Sequence, residues 1–198
     1  MSEIEGFILT GGKSSRMGTD KARLLLGTQS FPERIASALA SVAWRVRFVG
    51  AQMEGSSRAR PFVMDVHREW GALGGLHAAL DACESEWAAV VACDLPFVSG
   101  ELFVRLASLR EKFEAVVPVQ TDERVQPLCA LYRKEPCLRR TEELIAAGER
   151  RPRVLLESVQ TRRVAFSELA DLPGAELFFT NVNTPEDYTR AKQAAGVE

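Results

Sequence analysis

Apolar residues recur along this chain in two periods, and the switches between them predict its elements. Phe7-Ile8-Leu9 is a short apolar run that stops at Gly11-Gly12, the mark of a buried strand ending in a glycine-rich turn. Over 32–42 the apolar positions are Ile35, Ala38, Leu39 and Val42, a helical spacing opened by a proline in the first turn. Strands are expected at 46–49, 62–64 and 88–92, with a helix over 73–83 between the last two. Beyond residue 110 the order loosens: strands at 115–119 and 128–132, a helix over 135–147, a short strand at 163–166, and a helix over 184–195 with Thr184 as its cap and Pro185 in first position.

Alternation of strand and helix predicts an α/β fold, a three-layer α/β/α arrangement with a Rossmann-like, mostly parallel sheet, because right-handed crossovers lay each helix back on the strands it joins. Ligands of such sheets bind at the carboxyl ends of the strands. Gly11-Gly12 and Cys93-Asp94 each follow a strand end, so both are expected to face one cleft. At 198 residues with 46% hydrophobic content, a single domain is expected over 1–198, its nucleotide-binding half about 1–110 and its acceptor-binding half about 111–198.

The loop after the first strand carries the chemistry. Leu9-Thr10-Gly11-Gly12-Lys13-Ser14-Ser15-Arg16-Met17-Gly18-Thr19-Asp20-Lys21 joins three glycines, two serines and three cations. Glycines let successive N–H groups approach phosphate oxygens, and Arg16 and Lys21 supply compensating charge. Phe7 stands where a Walker loop needs its first glycine, and the GxGxxG spacing is absent as well. Read alone, the segment could also be a surface turn with solvated charges.

Asp94 follows a strand of small apolar residues, with Pro96 two positions on. A carboxylate there suits Mg²⁺, which takes one or two carboxylates and completes its shell with water and phosphate oxygens. Position alone serves equally well for a helix cap. Asp65, at the end of the third strand, and Asn183, in a late turn, are further polar candidates at strand and loop ends.

The bulk numbers exclude more than they select. A net charge of -2 argues against sequence-independent capture of nucleic acid. Cys83, Cys93, Cys129 and Cys137 form no CxxC pair, so a structural zinc site is not expected and a reducing cytoplasm is. Glu3 and Glu5 stand where a signal peptide would be positive, and no stretch approaches a membrane-spanning length. His67 and His77 lack a partner pattern; Trp44, Trp70 and Trp87 read as packing residues, with Trp70 beside Gly71 placed to touch a base.

LTGGKSSRMGTDKARL resembles the N-terminal signature of the molybdenum cofactor guanylyltransferases, the MobA family, within the nucleotide-diphospho-sugar transferase fold. Later segments agree in order: Gly71-Ala72-Leu73-Gly74-Gly75 with the family's GPLAG turn, Cys93-Asp94-Leu95-Pro96 with CDxP, Gln126-Pro127-Leu128 with its acceptor-side strand, Ala147-Gly148-Glu149-Arg150-Arg151 with AGERR, and 181–187 with NVNTPED. The resemblance implies transfer of GMP from GTP to molybdenum-bound molybdopterin with release of pyrophosphate. It implies a nucleotide site of Leu9, Thr10, Gly11, Gly12, Lys21, Asp65 and Asp94, with Mg²⁺ at Asp94, and catalysis by Lys21, Arg16 and Asp94. Asp65 is then the guanine reader, since one carboxylate accepts N1–H and N2–H₂ together. Molybdenum insertion and acceptor enzymes are the implied protein partners.

Between 133 and 163 nine Lys/Arg face five Glu, an excess of four that suits the anionic acceptor the resemblance implies, with Arg150 and Arg151 foremost; a mixed charge run of this kind reads equally as a solvated helix face. Two departures from the family pattern bear on donor selectivity: the altered 71–75 turn, and Gly50 where the family has an asparagine. A cytidylyltransferase of the same fold, or a nucleotide-binding module without catalysis, are the alternative readings.

Overall fold

A computed structural model of the chain describes residues 4–10, 24–50, 62–65, 67 and 70–197. Strand β1 (Ile4–Leu9) is buried along its whole length and lies between β4 (Val46–Val49) and β6 (Trp87–Ala92), parallel to both. With β5 (Phe62–Val63), β7 (Ala115–Pro118), β8 (Cys129–Arg133) and β9 (Thr161–Val164) they form a seven-stranded sheet in the order β5-β4-β1-β6-β8-β7-β9. Only β8 runs against its neighbours, pairing antiparallel with β6 and β7, so the sheet is mostly parallel as expected. A separate hairpin of β2 (Leu25–Leu26) and β3 (Gln29–Ser30) follows the first loop.

The pleat sorts side chains between two helical layers. Ile4 and Ile8 of β1, Ala89 and Val91 of β6 and Leu131 of β8 face α1 (Phe31–Leu39) and α3 (Gly100–Ser108). Phe7, Leu9, Val90 and Tyr132 face α2 (Gly71–Ala82), α4 (Lys134–Ala146) and α5 (Pro152–Ser158). Each fully buried Leu, Ile or Phe contributes about 1.5–3 kcal/mol, which makes these two layers the main source of stability. Helix α6 (Pro185–Ala194) covers a third cluster with Leu26, Phe31 and Val182.

Two helices go beyond the expected elements. Ser99 caps α3 by accepting from the Leu102 N–H at 3.3 Å, and Leu102, Phe103 and Leu106 bury one face. Pro152 opens α5 directly after the arginine pair, in a stretch whose charges conceal the buried Leu155 and Leu156. The segment 71–75 is also not a turn: it forms the first residues of α2, entered through Gly71 at φ 58°.

Glu5 lies inside β1 with no exposure, held by Arg45 at 2.6 Å, by Arg47 at 3.0 Å and by the Glu84 N–H at 2.8 Å. This ion cluster closes the amino-terminal end of the parallel strands, opposite the carboxyl ends.

Candidate active site

Four parallel strand ends are stitched together along one edge. The Gly50 N–H donates to the Val63 carbonyl at 3.2 Å, the Thr10 N–H to the Val49 carbonyl at 2.8 Å, and the Cys93 N–H to the Leu9 carbonyl at 3.1 Å. Asp65, Gly50, Thr10 and Asp94 therefore follow one another across β5, β4, β1 and β6. Three strand spacings separate the two aspartates, about 14 Å, the reach of a nucleotide from base to phosphates.

Of the residues expected at the nucleotide, Leu9 is buried against α2 with its carbonyl engaged by Cys93, and Thr10 sends both its N–H and its Oγ1 (3.0 Å) to Val49. Both therefore anchor the glycine-rich loop where it leaves the sheet. Gly11, Gly12, Arg16 and Lys21 lie outside the described residues. The chain is described again at Leu24, whose carbonyl accepts from Phe31 N–H and whose side chain packs in the cluster with Phe97 and Val182. Both anchors of the loop thus adjoin the Asp94 segment: Thr10 through Leu9 and Cys93, Leu24 through Phe97 and Val182.

Asp94 meets the late motif as well. The Val182 N–H donates to the Asp94 carbonyl at 3.0 Å, which sets Asn183 beside the aspartate. The acid of that motif, Asp187, serves the backbone. Its Oδ2 accepts from the N–H groups of Asn183 and Thr184, each at 3.0 Å, while Thr184 Oγ1 accepts from the Asp187 N–H. The Asn183 N–H and then Arg190 hold the Asp187 carboxyl below its ordinary range. A threonine three residues before an aspartate, at the start of a helix, was the sequence signal for this capping box.

Among the described residues no group of three His, Cys, Asp or Glu forms a metal cage. Asp94, half-buried at the strand end, and Asn183, next to the residue bonded to its carbonyl, offer oxygen donors only, a chemistry that fits Mg²⁺ held largely through substrate phosphates and does not fit zinc.

Asp65 is aimed by its own loop. The His67 N–H donates to its Oδ1 at 2.8 Å, and the Trp70 N–H donates to the His67 carbonyl at 2.8 Å. Gly74 makes this fit possible, since a Cβ there would stand 2.4 Å from the His67 carbonyl oxygen. The His67 and His77 rings meet edge to face at 4.8 Å and are packing residues, as expected. Gly50 adopts φ 120°, a conformation that a side-chain-bearing residue rarely takes, so its departure from the family pattern is built into the backbone.

The arginine excess of 133–163 is mostly spent on ion pairs. Arg133 pairs with Glu86, Arg140 with Glu143, Arg151 with Glu149, Arg153 with Glu157 and Arg162 with Glu168. Arg151 and the neighbouring N–H groups draw the Glu149 carboxyl down to about 2. Arg150 instead lies over the Trp70 ring, 5.1 Å from its centroid. Trp70 thus offers one ring face to Arg150.

A mostly parallel α/β sheet whose central strand leads in sequence into a glycine-rich segment, with an aspartate after the adjacent strand, marks a nucleotidyltransferase of the nucleotide-diphospho-sugar transferase type. The chain belongs to the family described as the MobA-like NTP transferase domain, which matches residues 6–164. A relative from Pelotomaculum thermopropionicum, called a probable molybdenum cofactor guanylyltransferase, is 35% identical over 98% of this chain and 95% of its own length. One of the same name from Carboxydothermus hydrogenoformans is 31% identical over 96% and 95%. The crystal structure of molybdopterin-guanine dinucleotide biosynthesis protein A from Archaeoglobus fulgidus superposes with a TM-score of 0.81 at 25% identity, covering 97% of this chain and 98% of that one. A 2-C-methyl-D-erythritol 4-phosphate cytidylyltransferase from Thermus thermophilus shares the fold, with a TM-score of 0.72 at 16% identity and coverage of 96% and 98%. Among the described residues no helix is long and apolar enough to cross a membrane.

Proposed function

We propose that this chain transfers GMP from GTP to molybdenum-bound molybdopterin, releasing pyrophosphate and forming the guanine dinucleotide form of the molybdenum cofactor. The observation that carries the reading is the line of strand ends from Asp65 to Asp94, with both anchors of the glycine-rich loop beside Asp94. The names of the relatives in Pelotomaculum and Carboxydothermus and of the Archaeoglobus neighbour supply the donor and acceptor.

In the reaction a phosphate oxygen of the acceptor attacks the α-phosphorus of GTP in line. The bond to the bridging oxygen breaks, and pyrophosphate leaves with its electron pair, so no covalent enzyme intermediate is required. Both reactants are anionic, and catalysis rests on charge neutralisation and alignment. Asp65 takes the guanine edge at β5. The N–H groups of the Gly11-Gly12 turn and Arg16 take the phosphates, and Lys21, three residues before the anchored Leu24, takes the α-phosphate. Asp94, with Asn183 in the adjoining segment, would hold Mg²⁺, which would supply positive charge to offset the phosphates. Lys21→Ala is expected to lower kcat by about 10²–10³ while GTP still binds, measured by steady-state pyrophosphate release.

The nucleotide is held by the half about 1–110 and the acceptor by the half about 111–198. The reaction belongs in the cytoplasm, in keeping with four buried cysteines that stay as free thiols, where molybdenum insertion and acceptor enzymes would supply and receive the cofactor. The test is transfer of radiolabelled GMP to molybdenum-loaded pterin, run in parallel with CTP and ATP and with the metal chelated. Transfer from GTP alone, abolished by chelation, supports the reading. Equal or better transfer from CTP, or GTP binding without pyrophosphate release, overturns it in favour of a cytidylyltransferase or a non-catalytic module.

A further inference from the structure

We propose that the stack of Arg150 on Trp70 is a positioning device that ties the acceptor-side turn 147–151 to the base-side connection carrying Asp65, holding donor and acceptor in one frame. The inference rests on the guanylyltransferase reading above and adds to it a contact between its two halves.

Helix α4 begins beside β6 at the amino-terminal end of the parallel strands, where the Lys134 N–H donates to the Glu86 carbonyl at 2.8 Å. Its 13 residues rise about 20 Å, the height of the sheet, so Ala147 and Gly148 emerge at the edge that carries Asp65 and Asp94. There Gly148, at φ 85°, turns the chain. Glu149 then closes the turn on itself, accepting from the N–H groups of Arg150 at 2.8 Å and Arg151 at 2.9 Å and from the Arg151 guanidinium at 2.7 Å. Arg151 is consumed inside the turn, and Arg150 is the cation that reaches across.

What it reaches is fixed relative to the base reader. Trp70 is bonded through its N–H to His67, and His67 through its own N–H to Asp65, while the Trp70 side chain packs on the core shared by α2, α4 and α5. Asp65, His67, Trp70 and Arg150 therefore make one chain of contacts from the guanine edge to the acceptor turn. A shift of either end must move the other or break the stack.

The test uses the full-length protein with GTP and molybdenum-loaded pterin. Arg150→Met, which keeps length and removes charge, is expected to raise the acceptor KM roughly two- to five-fold, the factor an exposed cation–π contact carries, with GTP affinity and melting temperature unchanged. Arg150→Lys should recover most of the loss. Trp70→Leu should raise the acceptor KM by a similar factor, and the double variant should be no worse than the weaker single. A wild-type acceptor KM in Arg150→Met, losses that multiply in the double variant, or a parallel fall in GTP affinity overturns the proposal. If the wild-type protein transfers GMP and these variants match it, this inference alone fails; if the wild type transfers none, the functional reading fails and takes this one with it.

Discussion

Asp65 presents a carboxylate whose direction is set by a main-chain donor, His67 N–H at 2.8 Å on Oδ1. Asn at this position keeps an oxygen for that donor but turns an NH₂ toward the guanine edge, where two donors then meet one. Asp65→Asn is therefore expected to lower kcat/KM for GTP by about 10- to 100-fold, the 1.5–3 kcal/mol of a hydrogen bond to a charged group, and to leave ATP and CTP unaffected in parallel pyrophosphate assays. An unchanged preference for GTP would remove Asp65 as the reader. His77 carries a pH signal of its own. Burial and then the nearby His67 lower its pKa below 6.5, only partly offset by Asp81, Glu142 and Asp65. The unfolded chain then binds a proton that the folded chain does not, so stability is complete above the ordinary histidine value and falls as pH drops through it. The melting temperature is expected to fall between about pH 7.5 and 5.5, and His77→Gln should flatten that slope. Asp94 and the Asp65 carboxylate were legible because each ends an apolar run. The role of Glu149 was not, because an acid that closes a turn differs from a solvated charge only in what it bonds.

At the scale of elements, the connection from β5 into α2 works as a single close-packed piece. Gly74 sits against the His67 carbonyl, whereas a Cβ at Gly75 would stand 3.4 Å from Leu9, an ordinary contact distance. Gly74→Ala must push His67 away and with it the bond that aims Asp65. We expect a loss of about 1–3 kcal/mol in urea unfolding together with weaker discrimination for GTP. Gly75→Ala, which meets only ordinary contact, should retain both. If Gly74→Ala is as stable and as selective as Gly75→Ala, the connection is not under this constraint. The helical spacing of α1 was readable from the chain, as was the capped start of α6 at Thr184. The start of α2 at Gly71, two residues before the expected Leu73, was not, because glycines weaken a helix; the reason for Gly74 is the close approach of His67.

Across the whole molecule, chemistry gathers at one end of the parallel strands and charge at the other. Glu5 is fully buried at the closed end between Arg45 and the largely buried Arg47. Glu5→Gln leaves the largely buried Arg47 with only the distant, exposed Glu84 at 3.9 Å as counter-charge, and a loss of about 3 kcal/mol is expected in equilibrium unfolding. Since Glu5 lies at the opposite end of β1 from Thr10, GTP affinity should persist at temperatures where the variant stays folded; a fall in affinity without a fall in stability would contradict this separation. The chain by itself determined the alternation of strands and helices and the placing of two aspartates just past strand ends, since these are local patterns of period and punctuation. Only the tertiary structure decided that Val182 bonds to Asp94, that five arginines of 133–163 are neutralised, that Arg150 rests on Trp70, and that Glu5 is interior. The Val182–Asp94, Arg150–Trp70, Glu5–Arg45 and Arg133–Glu86 contacts join residues far apart in the chain and depend on strand order and helix packing, which no local period encodes; the other four arginines meet acids two to six residues away, through side-chain geometry that the hydrophobic period does not report.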